Sequence, residues 1–126
     1  MEPLNKILCV DDDGFILRLL EAFLRGHFQI VLAGSAAEGL ALLESQGPFL
    51  IVLSDYDMPG MKGLEFLCQV ARRWPETTRI LMSGGPMDMD EVERAIGQGH
   101  ISRFHAKPLR IKHLCDQLRD ECQVVK

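Results

Sequence analysis

The run Ile7-Leu8-Cys9-Val10 is apolar at every position and ends directly in Asp11-Asp12-Asp13. A second run, Phe49-Leu50-Ile51-Val52-Leu53, ends the same way in Ser54-Asp55-Tyr56-Asp57. A strand with one wet face alternates apolar and polar residues. A strand apolar at consecutive positions is covered on both faces, the condition of a parallel sheet clad by helices. Central strands of that kind carry both acidic groups to one edge, the carboxyl edge where open α/β sheets bind ligands. Carboxylates gathered there repel and raise one another's pKa, unless a hard divalent cation that prefers oxygen ligands sits among them. The pattern therefore predicts a metal held beside a nucleophilic aspartate.

The remainder of the chain repeats this alternation. Strand candidates are 6–10, 28–33, 49–54, 78–82 and 102–106, separated and followed by helical spacings over about 13–25, 35–46, 62–73, 88–97 and 110–123. Asp13, Ser35 and Asp88 stand where N-caps are wanted, and Gly26, Gly47 and Gly97 or Gly99 where helices stop. Trp74-Pro75 ends the third helix, because the residue before proline is disfavoured in the helical region. In the last helix Ile111, Leu114, Cys115, Leu118 and Cys122 recur at helical intervals and predict a single docking face. Five β-α units joined by right-handed crossovers give an α/β, doubly wound, five-stranded parallel sheet between two helical layers. Residues 1–126 read as one domain, with no linker or repeat.

Composition narrows the function. A formal net charge of −4 without a Lys/Arg cluster argues against direct nucleic-acid binding. No apolar run approaches the roughly 20 residues that cross a bilayer, and Met1-Glu2-Pro3 does not open a signal peptide, so no membrane role and a cytoplasmic location are expected. Four cysteines, at 9, 68, 115 and 122, form no CxxC pair and read as reduced core or near-core thiols. His27, His100, His105 and His113 are scattered at surface or strand-edge positions and predict no zinc site. Gly97-Gln98-Gly99 follows a helix and enters a strand, the reverse of a dinucleotide fingerprint.

Five features in order carry a family resemblance over essentially the whole chain: Asp11-Asp12 after the first strand, Asp55 after the third, the Met58-Pro59-Gly60 turn, Ser83 after the fourth, and Lys107-Pro108 after the fifth. Together they resemble the receiver domain of bacterial two-component response regulators. The resemblance implies the flavodoxin-like strand order 2-1-3-4-5. It also implies phosphoacceptor chemistry on Asp55, whose carboxylate can form an acyl phosphate. Mg²⁺ is the implied cofactor: Asp12 and Asp55 as direct ligands, Asp11 through water, and the backbone carbonyl of Asp57 completing the set. Lys107 is expected to pair with phosphoryl charge and to precede a cis Lys107-Pro108 bond. Ser83 is the expected switch hydroxyl, and Phe104 takes the aromatic switch position without the hydroxyl that many relatives carry.

The 24 positions (107 − 83) between Ser83 and Lys107 are similar to a receiver subclass found before HD-GYP phosphodiesterase, kinase or transcriptional output domains. The implied protein is not an enzyme beyond catalysing its own phosphorylation and dephosphorylation. Its implied partners are a sensor histidine kinase or a histidine phosphotransfer protein, an attached or separate output domain, and a second copy of the chain. The output face would be the fourth helix, fifth strand and fifth helix. Two alternatives stay open: a phosphorylation-independent interaction module of the same fold, and a small phosphohydrolase with Asp57 as its acid. A flavodoxin-like electron carrier fits less well, since Asp11-Asp12-Asp13 would repel a flavin phosphate.

Overall fold

In the computed structural model, which describes residues 5–107 and 111–124, strands and helices alternate through the chain. The strands are β1 (Lys6–Val10), β2 (Gln29–Ala33), β3 (Ile51–Asp55), β4 (Thr78–Ser83) and β5 (Arg103–Ala106). The helices are α1 (Gly14–Leu24), α2 (Ala36–Gln46), α3 (Gly63–Arg73), α4 (Met89–Gly97) and α5 (Ile111–Val124). The strands form one parallel sheet in the order β2-β1-β3-β4-β5, as the resemblance implied.

Successive residues of the central strands enter different cores. Ile7, Cys9, Ile51, Leu53, Ile80 and Met82 pack with Leu17, Leu20 and Leu24 of α1 and with Leu114 and Leu118 of α5. Leu8, Val10, Val52 and Leu81 pack instead with Leu43 of α2, Phe66, Leu67 and Val70 of α3, and Val92 and Ala95 of α4. Both faces are therefore dry, which is why these strands lack alternation. Four strands begin or end away from the expected positions: β2 starts at Gln29 rather than Phe28 and β5 at Arg103 rather than Ser102. β3 starts at Ile51 rather than Phe49 and runs one residue further, through Asp55, because Asp55 still pairs with Met82. β4 likewise continues through Ser83, which pairs with Ala106.

Local chemistry sets the helix ends. The Asp13 carboxylate accepts from the Phe15 N–H at 2.9 Å, Ser35 Oγ from Glu38 N–H at 3.1 Å, and Asp88 Oδ1 from Glu91 N–H at 3.2 Å. These are the three predicted N-caps, each satisfying a donor the helix itself leaves open. The stops are less uniform. Gly47 caps α2 and Trp74 caps α3, but Arg25 caps α1 ahead of Gly26. Gly97 is the last helical residue of α4, and Gly99, at φ +80°, makes the left-handed turn beyond it.

Arg79 is buried in β4 and has no carboxylate partner among the described residues. Its guanidinium donates to the carbonyls of His100 (2.9 Å), Thr77 (2.7 Å), Gly99 (2.8 Å) and Pro75 (3.2 Å). One side chain thus ties the entry to β4 to the long approach to β5. Of the cysteines, Cys9 is buried and Cys68 half-buried, both as free thiols. The Cys115 and Cys122 side chains and the Lys107-Pro108 peptide lie outside the described residues.

Candidate phosphoacceptor site

Register brings the predicted residues to one edge. Val10 pairs with Ser54, Asp55 with Met82, and Ser83 with Ala106, so Asp11, Asp55, Ser83 and Lys107 all leave the sheet at the carboxyl ends of neighbouring strands. With Asp12, Asp13 and Asp57 they line a cleft of about 350 Å³, closed on one side by Gly84, Gly85 and Pro86.

Asp11 is fully buried and Asp55 only 6% exposed, while Asp12 faces solvent. Buried carboxylates need compensating charge and hydrogen bonds. Lys107 Nζ supplies both, donating to Asp11 Oδ2 and Asp55 Oδ1 at 2.9 Å each. The second Asp11 oxygen accepts from the Asp13 N–H at 2.9 Å. Burial pushes the Asp55 carboxyl above the ordinary carboxylate range. The Lys107 hydrogen bond opposes that rise, and the charges of Asp11 and Asp12 add to it. For Lys107 burial acts downward, but the bonds to Asp11 and Asp55 outweigh it and raise the ammonium above its usual value. Asp55 is thus a carboxylate whose negative charge is poorly solvated and held largely by one lysine, the condition of a nucleophile poised for an electrophile.

One carboxylate oxygen from each of Asp11, Asp12 and Asp55 lies within 4.8 Å of the others. Three hard oxygen donors converging in this way fit Mg²⁺, which takes one or two carboxylates and keeps water. The Asp57 carboxylate stands outside the cluster and pairs with Lys62 at 2.7 Å on the surface. The Ser83 hydroxyl donates to the Gly85 carbonyl at 3.3 Å, and the Ser83 carbonyl accepts from Lys107 N–H at 2.7 Å. Phe104, half-buried, sits beside Leu81 in the β4–β5 register and packs against the core on the α4 side.

Two site-shaping residues escaped the sequence reading. A Cβ on Gly63 would lie 2.0 Å from the Asp55 carbonyl oxygen, so only glycine lets α3 start this close to the strand end. The only advance signal was a glycine at a helix's first residue, three positions beyond Gly60, where the chain turns at φ +79°. Tyr56 also escaped: its N–H donates to the Met82 carbonyl at 2.7 Å, its carbonyl accepts from Gly63 N–H at 3.0 Å, and its hydroxyl donates to Glu91 Oε1 at 3.3 Å. Those partners lie too far along the chain to be seen in it.

The model of the response regulator receiver domain matches residues 7–119. The chain belongs to that family. It is 36% identical over 113 residues to the hydrogenase transcriptional regulatory protein HoxA of Cupriavidus necator, covering 90% of this chain and 23% of that relative. This receiver chain therefore spans about a quarter of the length of such relatives. It is also similar to the solved signal receiver domain of an HD domain-containing protein from Pseudomonas fluorescens Pf-5, with 32% identity, a TM-score of 0.87 and 96% of each chain covered. A CheY-like receiver domain protein from Methanospirillum hungatei JF-1 matches at 26% identity and a TM-score of 0.86, over 96% of this chain and 95% of that one. Receiver domains act in phosphorelay signalling, as phosphoacceptors that bind Mg²⁺ through acidic residues, and this chain gathers Asp11, Asp12 and Asp55 into an acidic cluster. Among the described residues no helix is long and apolar enough to cross a membrane.

Proposed function

We propose that Asp55 accepts a phosphoryl group from a phosphohistidine on a partner kinase or phosphotransfer protein. The observation that carries the reading is Lys107 Nζ held at 2.9 Å from both Asp11 and Asp55 beside the Asp12 carboxylate. In the transfer an Asp55 oxygen forms a bond to phosphorus as the phosphorus–nitrogen bond to the donor imidazole breaks, and the electron pair leaves with that nitrogen. The acyl phosphate returns to carboxylate when water takes the phosphoryl group, so the chain's catalysis is limited to its own state. Asp12 and Asp55, with Asp11 and the Asp57 carbonyl in support, would hold Mg²⁺, which supplies charge neutralisation for the phosphoryl oxygens when bound. Lys107 would turn from the carboxylates toward the transferred group, and the Ser83 hydroxyl would leave Gly85 to donate to a phosphoryl oxygen. Phe104 would follow into the space Ser83 vacates, driven by ring burial, remodelling the face made by α4, β5 and α5.

Two rivals fare less well against the geometry. The phosphohydrolase reading needs Asp57 as an acid at the nucleophile, but the Asp57 carboxylate is exposed and engaged by Lys62. The phosphorylation-independent module has no use for two buried carboxylates sharing a lysine, an arrangement that costs desolvation. The length of the curated relatives beyond the matched segment supports an output domain, attached or separate, and the chain and its kinase partner would meet in the cytoplasm. Intact-mass spectrometry after incubation with Mg²⁺ and a small acyl phosphate tests the reading. The expected result is one added phosphoryl group on the wild type and none on Asp55→Asn. Equal labelling of the two proteins would overturn it.

A further inference from the structure

Helix α4 is lightly held. It has nine residues and buries only Val92 and Ala95, while Met89 and Ile96 stand exposed. A cleft of about 630 Å³ separates it from α3, lined by Leu64, Glu65 and Cys68 on one side and by Glu91, Arg94 and Gln98 on the other. An element with few buried apolar contacts and open space beside it belongs to the low-stability end of a fold. Two hydrogen bonds nevertheless restrain its first turn and the loop before it. One is Ser83 Oγ to the Gly85 carbonyl, at 3.3 Å, in the loop that leads into α4. The other is the Tyr56 hydroxyl to Glu91 Oε1, also 3.3 Å, joining the residue directly after Asp55 to the third residue of α4.

These restraints differ in what releases them. Ser83 has an alternative acceptor when Asp55 carries a phosphoryl group, so its bond to Gly85 is exchangeable. Tyr56 has no such alternative. Its amide and carbonyl are fixed to Met82 and Gly63, and its ring packs against the core on the α4 side, so the hydroxyl is presented from a rigid mount. We propose that the Tyr56–Glu91 hydrogen bond is a latch that holds α4 in its resting position and sets how readily phosphorylation at Asp55 shifts it. The inference rests on Asp55 being the phosphoacceptor. A contact present in one arrangement and absent in the other biases the equilibrium by its full strength. Releasing it raises the fraction of chains already competent for the phosphorylated arrangement, and apparent affinity for a phosphoryl mimic rises in proportion.

Tyr56→Phe removes the hydroxyl and keeps the ring. Amide hydrogen exchange over residues 89–97, in protein free of metal and phosphodonor, is expected to quicken roughly three- to tenfold in Tyr56→Phe, the range of one ordinary hydrogen bond. Glu91→Ala is expected to act alike, and the double variant to show less than the product of the two single effects. Beryllofluoride with Mg²⁺ is expected to bind Tyr56→Phe about three- to tenfold more tightly than wild type. Unchanged exchange in Tyr56→Phe, or fully multiplicative effects in the double variant, would overturn the latch. The exchange measurement needs no phosphoryl chemistry, whereas failure of beryllofluoride to bind the wild type would count against the Asp55 reading alone.

Discussion

Lys107 is pulled in two directions by the residues it serves. Its ammonium is the shared partner of Asp11 and Asp55, and its side chain is only 17% exposed. Removing one member of a buried ionic group typically costs about 3–5 kcal/mol; here solvent reaches the lysine, and Asp55 can take up a proton, so Lys107→Ala is expected to cost about 1–3 kcal/mol in urea unfolding at neutral pH. The loss is expected to shrink as pH falls, because a protonated Asp55 no longer repels Asp11. A divalent cation bound as proposed would compete with Lys107 for the same oxygens. Deleting a positive charge this close should therefore tighten Mg²⁺ binding several-fold, by about 1 kcal/mol or more. A titration in which Lys107→Ala binds Mg²⁺ more weakly than wild type would show that the lysine organises the carboxylates for the metal rather than substituting for it.

Among the elements, the approach to β5 is where the structure adds most to the sequence. Gly97, Gly99 and the extended spacing to Lys107 marked this stretch as unusual, but Arg79, which secures it, read as one residue of a strand. Its acceptors are main-chain carbonyls at positions 75, 77, 99 and 100, and carbonyls carry no residue-type signature. The N-caps at Asp13, Ser35 and Asp88 were legible because their partners lie two or three residues away. The acidic edge was legible because strand direction alone delivers Asp11 and Asp55 to it. Tyr56–Glu91 and Gly63–Asp55 were not, since each depends on how a helix docks. Arg79→Met keeps the aliphatic stem and removes the donors, leaving four carbonyls short of partners. An expected loss of about 2–4 kcal/mol follows, with new proteolytic susceptibility confined to residues 98–102. A cost under about 0.5 kcal/mol would mean that water replaces the guanidinium at no penalty.

At the scale of the whole molecule, the consequence of a sheet clad on both faces is a dry interior that penalises any charge formed within it. Cys9, the fourth residue of β1 and fully buried, reports that penalty. Burial, with smaller contributions from Glu21 and Asp11, pushes its thiol from 9.0 up to about 12. In the unfolded chain the thiol ionises near its ordinary value, so between about pH 9 and 12 the folded state holds a proton that the unfolded state has lost. Stability must then fall as pH rises through that window, with a slope from this group approaching about 1.4 kcal/mol per pH unit. Below pH 9 both states are protonated and the term vanishes. Other contributions to stability also change with pH, so the test is a difference: Cys9→Ala starts less stable at pH 8, because a small cavity is left in the core, yet loses less on going to pH 11. The gap between the two proteins in urea midpoint should narrow steadily with pH. A constant gap from pH 8 to pH 11 would mean that Cys9 ionises as readily inside the sheet as outside it, contradicting the dry packing that also keeps Asp55 short of solvent.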